Sequence, residues 1–310
     1  MSKKTNIIKK VNIIKKMSKK NIVIICITLV VILIITFAMI IFLQRNKEDV
    51  DVIEVATLAA INIEDPTKQY NSIYEDVYYY DSRNEQRYIE YQAINLNLSV
   101  EDVVWRVNTK LDKVFYTDIN ETENINDNLL LVNKYNKLPD DYIPTNLEKL
   151  SSGQYLQHDT KIAFEEMKAS AKKQGYIIND VSGYRSIDSQ EELYNFYLSS
   201  YSQKLSDTFS SRAGHSEHHT GQAIDITGSF GDILDFVDTK ESKWIKENAY
   251  EYGFIIRYPK GYEHITGYKS EPWHIRYVGT EIATDMIGKG INTLEEYYEK
   301  YIVYNNYIKL

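Results

Sequence analysis

Residues 213–225 read AGHSEHHTGQAID, and residues 270–277 read SEPWHIRY. These two stretches hold four of the chain's six histidines. A catalytic zinc ion is typically bound by about three imidazole or carboxylate ligands, and a water molecule takes the remaining position. Such a ligand set is present as His218, Asp225 and His274. The two stretches therefore predict a zinc site that joins distant parts of the chain.

Two charged residues suit the chemistry of a hydrolytic zinc site. Glu271, three residues before His274, can take a proton from a water molecule as a general base. Arg185 lies in a predicted turn between a strand and a helix, where its guanidinium group can reach a developing oxyanion. The remaining histidines are interpreted as structural or surface residues: His158, His215, His219 and His264.

The residues around the predicted site form a longer motif. It reads Ser216-x-His218-x-x-Gly221-x-Ala223-x-Asp225, followed by Glu271-Pro272-Trp273-His274, with SGYRS upstream at 182–186. These parts together resemble the VanY-type D-alanyl-D-alanine carboxypeptidases, a family of zinc peptidases. The resemblance covers about residues 130–290. It implies an α+β fold, with a small and mostly antiparallel sheet flanked by helices, which the family shares with the Hedgehog signalling domain.

The resemblance implies a role for each residue that matches the family. Its zinc ligands correspond to His218, Asp225 and His274. Glu271 corresponds to the catalytic base, and Arg185 to the arginine that polarises the carbonyl group of the bond to be cut. Three further positions are expected to bind substrate: Ser216, Gln190 and Trp273. The implied reaction is the zinc-dependent removal of the C-terminal D-alanine from the stem pentapeptides of peptidoglycan.

Two alternative functions stay open at the level of sequence. Relatives with nearly the same zinc motif cut the L,D bond of stem tetrapeptides, and the shape of the pocket decides between the two bonds. A catalytically silent module that binds wall peptides is the other alternative. Such a module is expected to lose the base or the arginine, and this chain has both Glu271 and Arg185.

An uncharged apolar run, IVIICITLVVILIITFAMIIFL, occupies residues 22–43. As a helix it would span roughly 33 Å, enough for a bilayer core of about 30 Å. Lysine-rich sequence precedes the run, so the positive-inside rule predicts a cytoplasmic N-terminus and an extracytoplasmic catalytic domain. A cleaved signal peptide is the alternative, but its apolar region is usually only about 7–15 residues long. The prediction is therefore a single-pass protein of the cell membrane.

Composition and charge suggest five segments along the chain. They are a cytoplasmic basic tail at 1–21, the transmembrane anchor at 22–43, an extracytoplasmic linker at 44–85, a small subdomain at 86–135 and a carboxypeptidase domain at 136–310. Beyond residue 47, 26 basic residues stand against 44 acidic ones. A domain this acidic repels a polyphosphate backbone, which makes nucleic acid an improbable partner.

Apolar spacing and capping residues predict the local elements. Ala163, Phe164, Met167 and Ala171 share one face of a predicted helix over 160–174, and Asp188 with Glu191 is typical of the start of another. Ser99 suggests the start of a third helix. The runs at 176–182, 254–258 and 273–278 are predicted strands, and 129–132 is a further candidate.

Overall fold

The computed structural model describes residues 72–122, 129–229 and 232–303. The chain divides into two units, and one of them, Met1–Asn71 with Ala93–Leu96, lies almost wholly outside the described residues. The other unit, Ser72–Gln92 with Asn97–Leu310, holds the sheets, the cores and the site that are described below.

The described residues form both strands and helices. The strands are β1 (Asn120–Glu121), β2 (Asn136–Lys137), β3 (Leu147–Lys149), β4 (Tyr155–Gln157), β5 (Asn179–Ser182), β6 (Ala223–Thr227), β7 (Phe254–Tyr258) and β8 (Glu271–Tyr277). The α-helices are α1 (Glu85–Ile94), α2 (Val100–Asn108), α3 (His158–Lys173), α4 (Ile187–Ser200), α5 (Gln203–Ser206), α6 (Lys240–Asn248), α7 (Glu263–Thr266), α8 (Thr280–Lys289) and α9 (Leu294–Tyr297).

Shorter helical turns connect these elements. The 3₁₀ turns are Ser82–Asn84, Glu217–Thr220, Ile233–Asp238 and Ala249–Tyr252, and a π-helical turn covers Tyr298–Val303. The turn Glu217–Thr220 leads directly into β6 and so links the first half of the predicted motif to the sheet.

One four-stranded sheet organises the domain, in the order β5-β6-β8-β7. All three of its pairings are antiparallel. Two small two-stranded sheets accompany it, formed by β1 with β2 and by β3 with β4. The α+β class and the mostly antiparallel sheet that the resemblance implied are confirmed.

The main core packs α3 and α6 against the four-stranded sheet. Phe164, Met167 and Ala171 of α3 are fully buried, because their spacing places them on one face of the helix. Sheet residues that join them include Ile224 and Ile275, which are also fully buried. The predicted helix over 160–174 is confirmed within two residues at its start.

A second core lies in the segment that precedes the sheets. Ser99 caps α2 by accepting a hydrogen bond from the backbone of Asp102, as its position predicts. Trp105 of α2 and the ring of Tyr79 are buried together there. Tyr79 falls in the stretch 44–85 that was predicted as a linker, so the described part of that stretch contributes to a core. The five segment boundaries stay predictions.

Some predicted elements differ in their bounds. The strand at 176–182 is shorter, since β5 begins at Asn179. The following helix begins at Ile187, because the Ser186 hydroxyl, and not Asp188, accepts the capping hydrogen bond from the Ser189 backbone. The run at 129–132 is mostly buried but is not a strand. The apolar sequence correctly predicted that these residues are buried. No strand of the described sheets pairs with them, however, so they do not form a strand.

The prediction of a preceding transmembrane helix is corrected. Among the described residues, no helix is long and apolar enough to cross a membrane. The longest of them, α3, has 16 residues and so extends about 24 Å, short of a bilayer core of about 30 Å. The segment predicted as the anchor, 22–43, lies outside the described residues. The structure supports the α+β domain alone, and the single-pass membrane localisation is withdrawn with the helix.

Candidate metal centre

The pairing of β6 with β8 brings two predicted ligands together. Asp225 and His274 lie directly opposite each other in this antiparallel register. Residues at such positions have neighbouring side chains on the same face of the sheet. As a result, the Oδ1 atom of Asp225 lies 3.0 Å from Nδ1 of His274.

A tight turn supplies the third ligand. The Ser216 hydroxyl accepts a hydrogen bond from the His218 backbone and so caps the 3₁₀ turn. Gly221 ends the turn with a left-handed conformation, φ 68°, and a side chain there would lie 2.8 Å from Leu147 Cδ2. Both conditions favour glycine at this position. The turn thereby sets His218 beside β6, and its Nε2 atom lies 3.2 Å from Oδ2 of Asp225.

The orientation of the His218 ring is fixed from behind. Its Nδ1 atom donates to the carbonyl oxygen of Gly183 at 2.7 Å, and a carbonyl can only accept. Nε2 therefore carries the free lone pair that faces Asp225. A Cβ atom at Gly183 would lie 2.5 Å from the Tyr155 carbonyl oxygen, so this approach also depends on glycine. Burial lowers the pKa of His218, which favours the neutral form that binds metals.

The three donor atoms fit a zinc ion. One ligand atom from each of His218, Asp225 and His274 can be chosen so that all lie within 4.8 Å of one another. With bonds of about 2.0–2.2 Å, neighbouring ligands of a tetrahedral zinc ion lie roughly 3.3–3.5 Å apart. The 3.2 Å separation between His218 and Asp225 is close to this spacing. Two imidazoles and one carboxylate are also the ligand types that catalytic zinc prefers.

Glu271 shares the cavity with the donor atoms, although a regular strand would not place it there. Residues three apart in a strand point to opposite faces, and Glu271 and His274 are three apart. The pairing with β7 shifts at this point, so that Ile256 faces Ile275 but Tyr258 faces Glu271. The extra residues in β8 allow both Glu271 and His274 to line one cavity of about 560 Å³.

The surroundings of Glu271 favour a protonated carboxyl group in the absence of a cation. Burial raises its pKa to about 8, and the Asp225 carboxylate adds to the effect, although His274 opposes it. A divalent cation at the neighbouring donor atoms would favour the ionised form, which is the form that a general base needs.

Arg185 reaches the same cavity from the turn between β5 and α4. Its guanidinium group donates to Gln190 Oε1 at 2.7 Å and to the Ser182 hydroxyl at 2.8 Å. Gln190 is itself buried and donates to the carbonyl of Ser211 at 2.7 Å. The predicted substrate-binding residue Gln190 thus holds the arginine in place. Burial lowers the pKa of Arg185, a group that nonetheless stays charged at neutral pH.

The remaining substrate-binding predictions also line this cavity. Ser216 lines it together with His218, and Trp273 forms part of the wall while packing against the main core. An apolar wall faces them, made by one side of α4 and the residues after it: Leu193, Tyr197, Tyr201, Leu205 and Phe209. The cavity can therefore take a ligand that has polar ends and an apolar body.

The other histidines near the motif do not join the donor atoms. His219 Nδ1 donates to the Arg185 carbonyl, and its Nε2 accepts from the Gly214 backbone. His215 Nδ1 lies 2.7 Å from the Asn133 carbonyl. His158 lies on the surface beside Glu148. These contacts agree with the structural and surface roles predicted for them.

The sequence analysis missed a buried acid behind the site. Glu217 lies 3.4 Å from Nε2 of His274, on the side away from Asp225. Its other oxygen accepts from Arg257 at 2.7 Å and from Arg276 at 3.0 Å. Both arginines are fully buried within strands. Two arginines in otherwise apolar strands are a signal that a buried acid is needed, and that signal was present in the sequence.

The chain is similar in sequence to known proteins. The sequence model of the family "VanY: D-alanyl-D-alanine carboxypeptidase" matches residues 153–280. The carboxypeptidase-like protein YodJ of Bacillus subtilis (strain 168) is 39% identical over 208 residues, which cover 61% of this chain and 76% of YodJ.

Two solved structures resemble the domain. The structure of the LdcB LD-carboxypeptidase, described as revealing the molecular basis of peptidoglycan recognition, is 39% identical with a TM-score of 0.55, and the match covers 61% of this chain and 92% of that one. VanYB in complex with D-alanine-D-alanine is 32% identical with a TM-score of 0.50, and the match covers 56% of this chain and 98% of that one.

Proposed function

Since the chain belongs to the VanY family of D-alanyl-D-alanine carboxypeptidases, we propose that it is a zinc-dependent D,D-carboxypeptidase acting on peptidoglycan. It removes the C-terminal D-alanine from stem pentapeptides. The observation that carries the proposal is the convergence of three donor residues, His218, Asp225 and His274, with Glu271 and Arg185 around one cavity.

His218, Asp225 and His274 would hold the metal, since their donor atoms fit a zinc ion. When bound, zinc lowers the pKa of a water ligand and stabilises negative charge on a carbonyl oxygen. The charges of the three ligands support this assignment. Two neutral imidazoles and one carboxylate would leave a net positive charge on the ion, and this charge is what acts on the water ligand and the carbonyl oxygen.

Glu271 is assigned as the general base. Its carboxylate accepts a proton from the attacking water and then donates a proton to the amino group that leaves. Arg185 is assigned to the oxygen of the scissile carbonyl group, where its fixed guanidinium donors stabilise the charge that develops in the transition state. Because Gln190 and Ser182 already hold Arg185 in position, little reorganisation is needed during the reaction.

A carboxypeptidase must also bind the free carboxylate at the end of its substrate. Ser216 is assigned to this carboxylate, because it lies beside His218 in the cavity. Trp273 and the apolar wall are assigned to the body of the peptide, where they exclude water. These contacts restrict cleavage to the last residue of the chain.

The mass of the products tests the proposed function. The purified zinc-loaded protein is expected to convert a stem pentapeptide into the tetrapeptide, with the loss of a single alanine. Free D-alanine should appear at the same rate. Binding of the stem pentapeptide and of a stem tetrapeptide, without cleavage of either, would contradict the proposal and would favour the silent binding module.

An L,D-carboxypeptidase is the less favoured alternative. LdcB carries that description, whereas the family model is described as a D-alanyl-D-alanine carboxypeptidase and VanYB was solved with D-alanine-D-alanine. A parallel digestion of the stem tetrapeptide distinguishes the two bonds. Cleavage of the tetrapeptide with no cleavage of the pentapeptide would establish the L,D activity instead.

Replacing Arg185 by lysine separates its role from metal binding. Arg185→Lys should retain zinc but lower kcat by about 10²-fold or more, a cost typical of losing one oxyanion donor. A lysine keeps the charge but cannot reproduce the planar set of donors that contacts Gln190 and Ser182. Zinc content and initial rate on the pentapeptide are measured side by side. A wild-type rate would show that Arg185 is not the oxyanion donor.

A further inference from the structure

A network of four buried charges lies directly behind the proposed metal centre. Glu217 bonds to Arg257 and Arg276, and Arg257 also forms a double hydrogen bond with Glu295 of α9 at 2.9 and 2.7 Å. All four side chains are at most 2% exposed. Two negative and two positive charges balance within the network, as buried ionic groups require.

Glu217 is the member of this network that contacts a proposed metal ligand. Its Oε2 atom faces Nε2 of His274 at 3.4 Å, while Nδ1 of the same ring faces Asp225. A carboxylate can only accept, so Nε2 of His274 must carry a proton to form this contact. In the neutral ring, which is the form that binds a metal, the lone pair is then on Nδ1, the nitrogen that faces Asp225.

Two arginines hold the Glu217 carboxylate in place. Its Oε1 atom accepts from Arg257 at 2.7 Å and from Arg276 at 3.0 Å. Its other oxygen faces Nε2 of His274, and both side chains are buried. A ligand imidazole that donates to a fixed carboxylate is both oriented and more basic.

We infer that Glu217 is a positioning residue for the metal centre. Through its hydrogen bond with Nε2, Glu217 selects the protonated ring nitrogen and the orientation of His274. This inference rests on the proposed function, since it assumes that His274 binds zinc. Arg257 and Glu295 act through Glu217, because in the described part of the chain their side-chain hydrogen bonds do not reach the three donor residues.

Metal affinity tests the inference without any need for catalysis. Glu217→Gln should weaken zinc binding by about 10–100-fold, the usual effect of losing an outer partner of a ligand histidine. The zinc dissociation constant is measured on the folded full-length chain by competition with a chelating dye. The absorption spectrum of the cobalt-substituted protein should also change, because the ligand geometry changes.

Glu241→Gln is the matched control. Glu241 is also buried and accepts hydrogen bonds from the Ser229 hydroxyl and the Ile177 backbone, neither of which belongs to a donor residue. Its replacement can lower stability but should leave zinc affinity and the cobalt spectrum unchanged. Wild-type zinc affinity in Glu217→Gln would overturn the inference. If zinc affinity falls while the wild type cleaves no peptide, the inference stands and the proposed function fails.

A measurement on the wild type covers the case in which Glu217→Gln does not fold, since it leaves two buried arginines with less compensation. The nitrogen-15 spectrum of the histidine rings in the zinc-loaded chain should place a slowly exchanging proton on Nε2 of His274. A proton on Nδ1, or none on Nε2, would contradict the inference.

Discussion

Glu271→Gln is expected to retain zinc and fold while losing most of its turnover. Removing a general base costs about 10²–10⁴-fold, and the upper end is expected because Glu271 serves two proton transfers. Glutamine preserves the shape of the side chain but cannot accept a proton at neutral pH. The initial rate on a stem pentapeptide, measured beside zinc content, gives the result. The inactive variant should still bind the peptide.

Glu263→Gln is a suitable control for this experiment, because Glu263 is an exposed carboxylate on α7 outside the cavity. It makes the same chemical change at the surface and should keep the wild-type rate. Cleavage by Glu271→Gln at the wild-type rate would refute the assignment of the base. Loss of zinc from this variant would instead make Glu271 a ligand.

Replacing any of the three donor residues should have the largest effect on metal binding. His218→Ala, Asp225→Ala and His274→Ala are each expected to abolish activity. Each should weaken zinc binding by more than the roughly 10–100-fold that the loss of an outer partner causes. The reason is that each change removes a donor atom, and an ion with two protein ligands is held far less tightly. Elemental analysis after dialysis measures the zinc that remains.

His158→Ala provides the comparison, since His158 is an exposed imidazole that pairs with a surface acid, Glu148. It should keep a full complement of zinc and the wild-type rate. One zinc ion per chain in the His218→Ala protein after dialysis would contradict the assignment of His218 as a ligand.

Local structure was predicted well where a short segment determines it. The spacing of Phe164, Met167 and Ala171 gave α3, and Ser99 gave the start of α2. These features depend on contacts within a few residues or on one buried face. The start of α4 was predicted less well. Serine and aspartate can both cap a helix, and the capping hydroxyl belongs to Ser186 and not to Asp188.

The arrangement of the candidate site depends on long-range register, which local patterns do not determine. The motif indicated which residues carry the chemistry, and their roles stay predictions. The pairing of β6 with β8 places Asp225 opposite His274, and the register shift between β7 and β8 allows Glu271 to line the same cavity. Neither pairing can be predicted from the sequence of a single strand. A shift of one residue would have moved either side chain to the other face.

Glu217 was missed for a related reason. Within the motif it sits between Ser216 and His218, and an acid in a helical turn is usually solvated. Its partners, Arg257 and Arg276, come from two later strands that pair only in the folded sheet. The predicted transmembrane helix was not found among the described residues, and the segment at 22–43 on which it rests lies outside them.

A zinc titration tests the central claim most directly. Metal-free full-length protein is supplied with increasing zinc, and release of D-alanine from a stem pentapeptide is followed at each step. The account predicts no release without metal, a linear rise that stops at one zinc ion per chain, and no recovery by Asp225→Ala at the same zinc concentrations. Full release of D-alanine by the metal-free protein would contradict it.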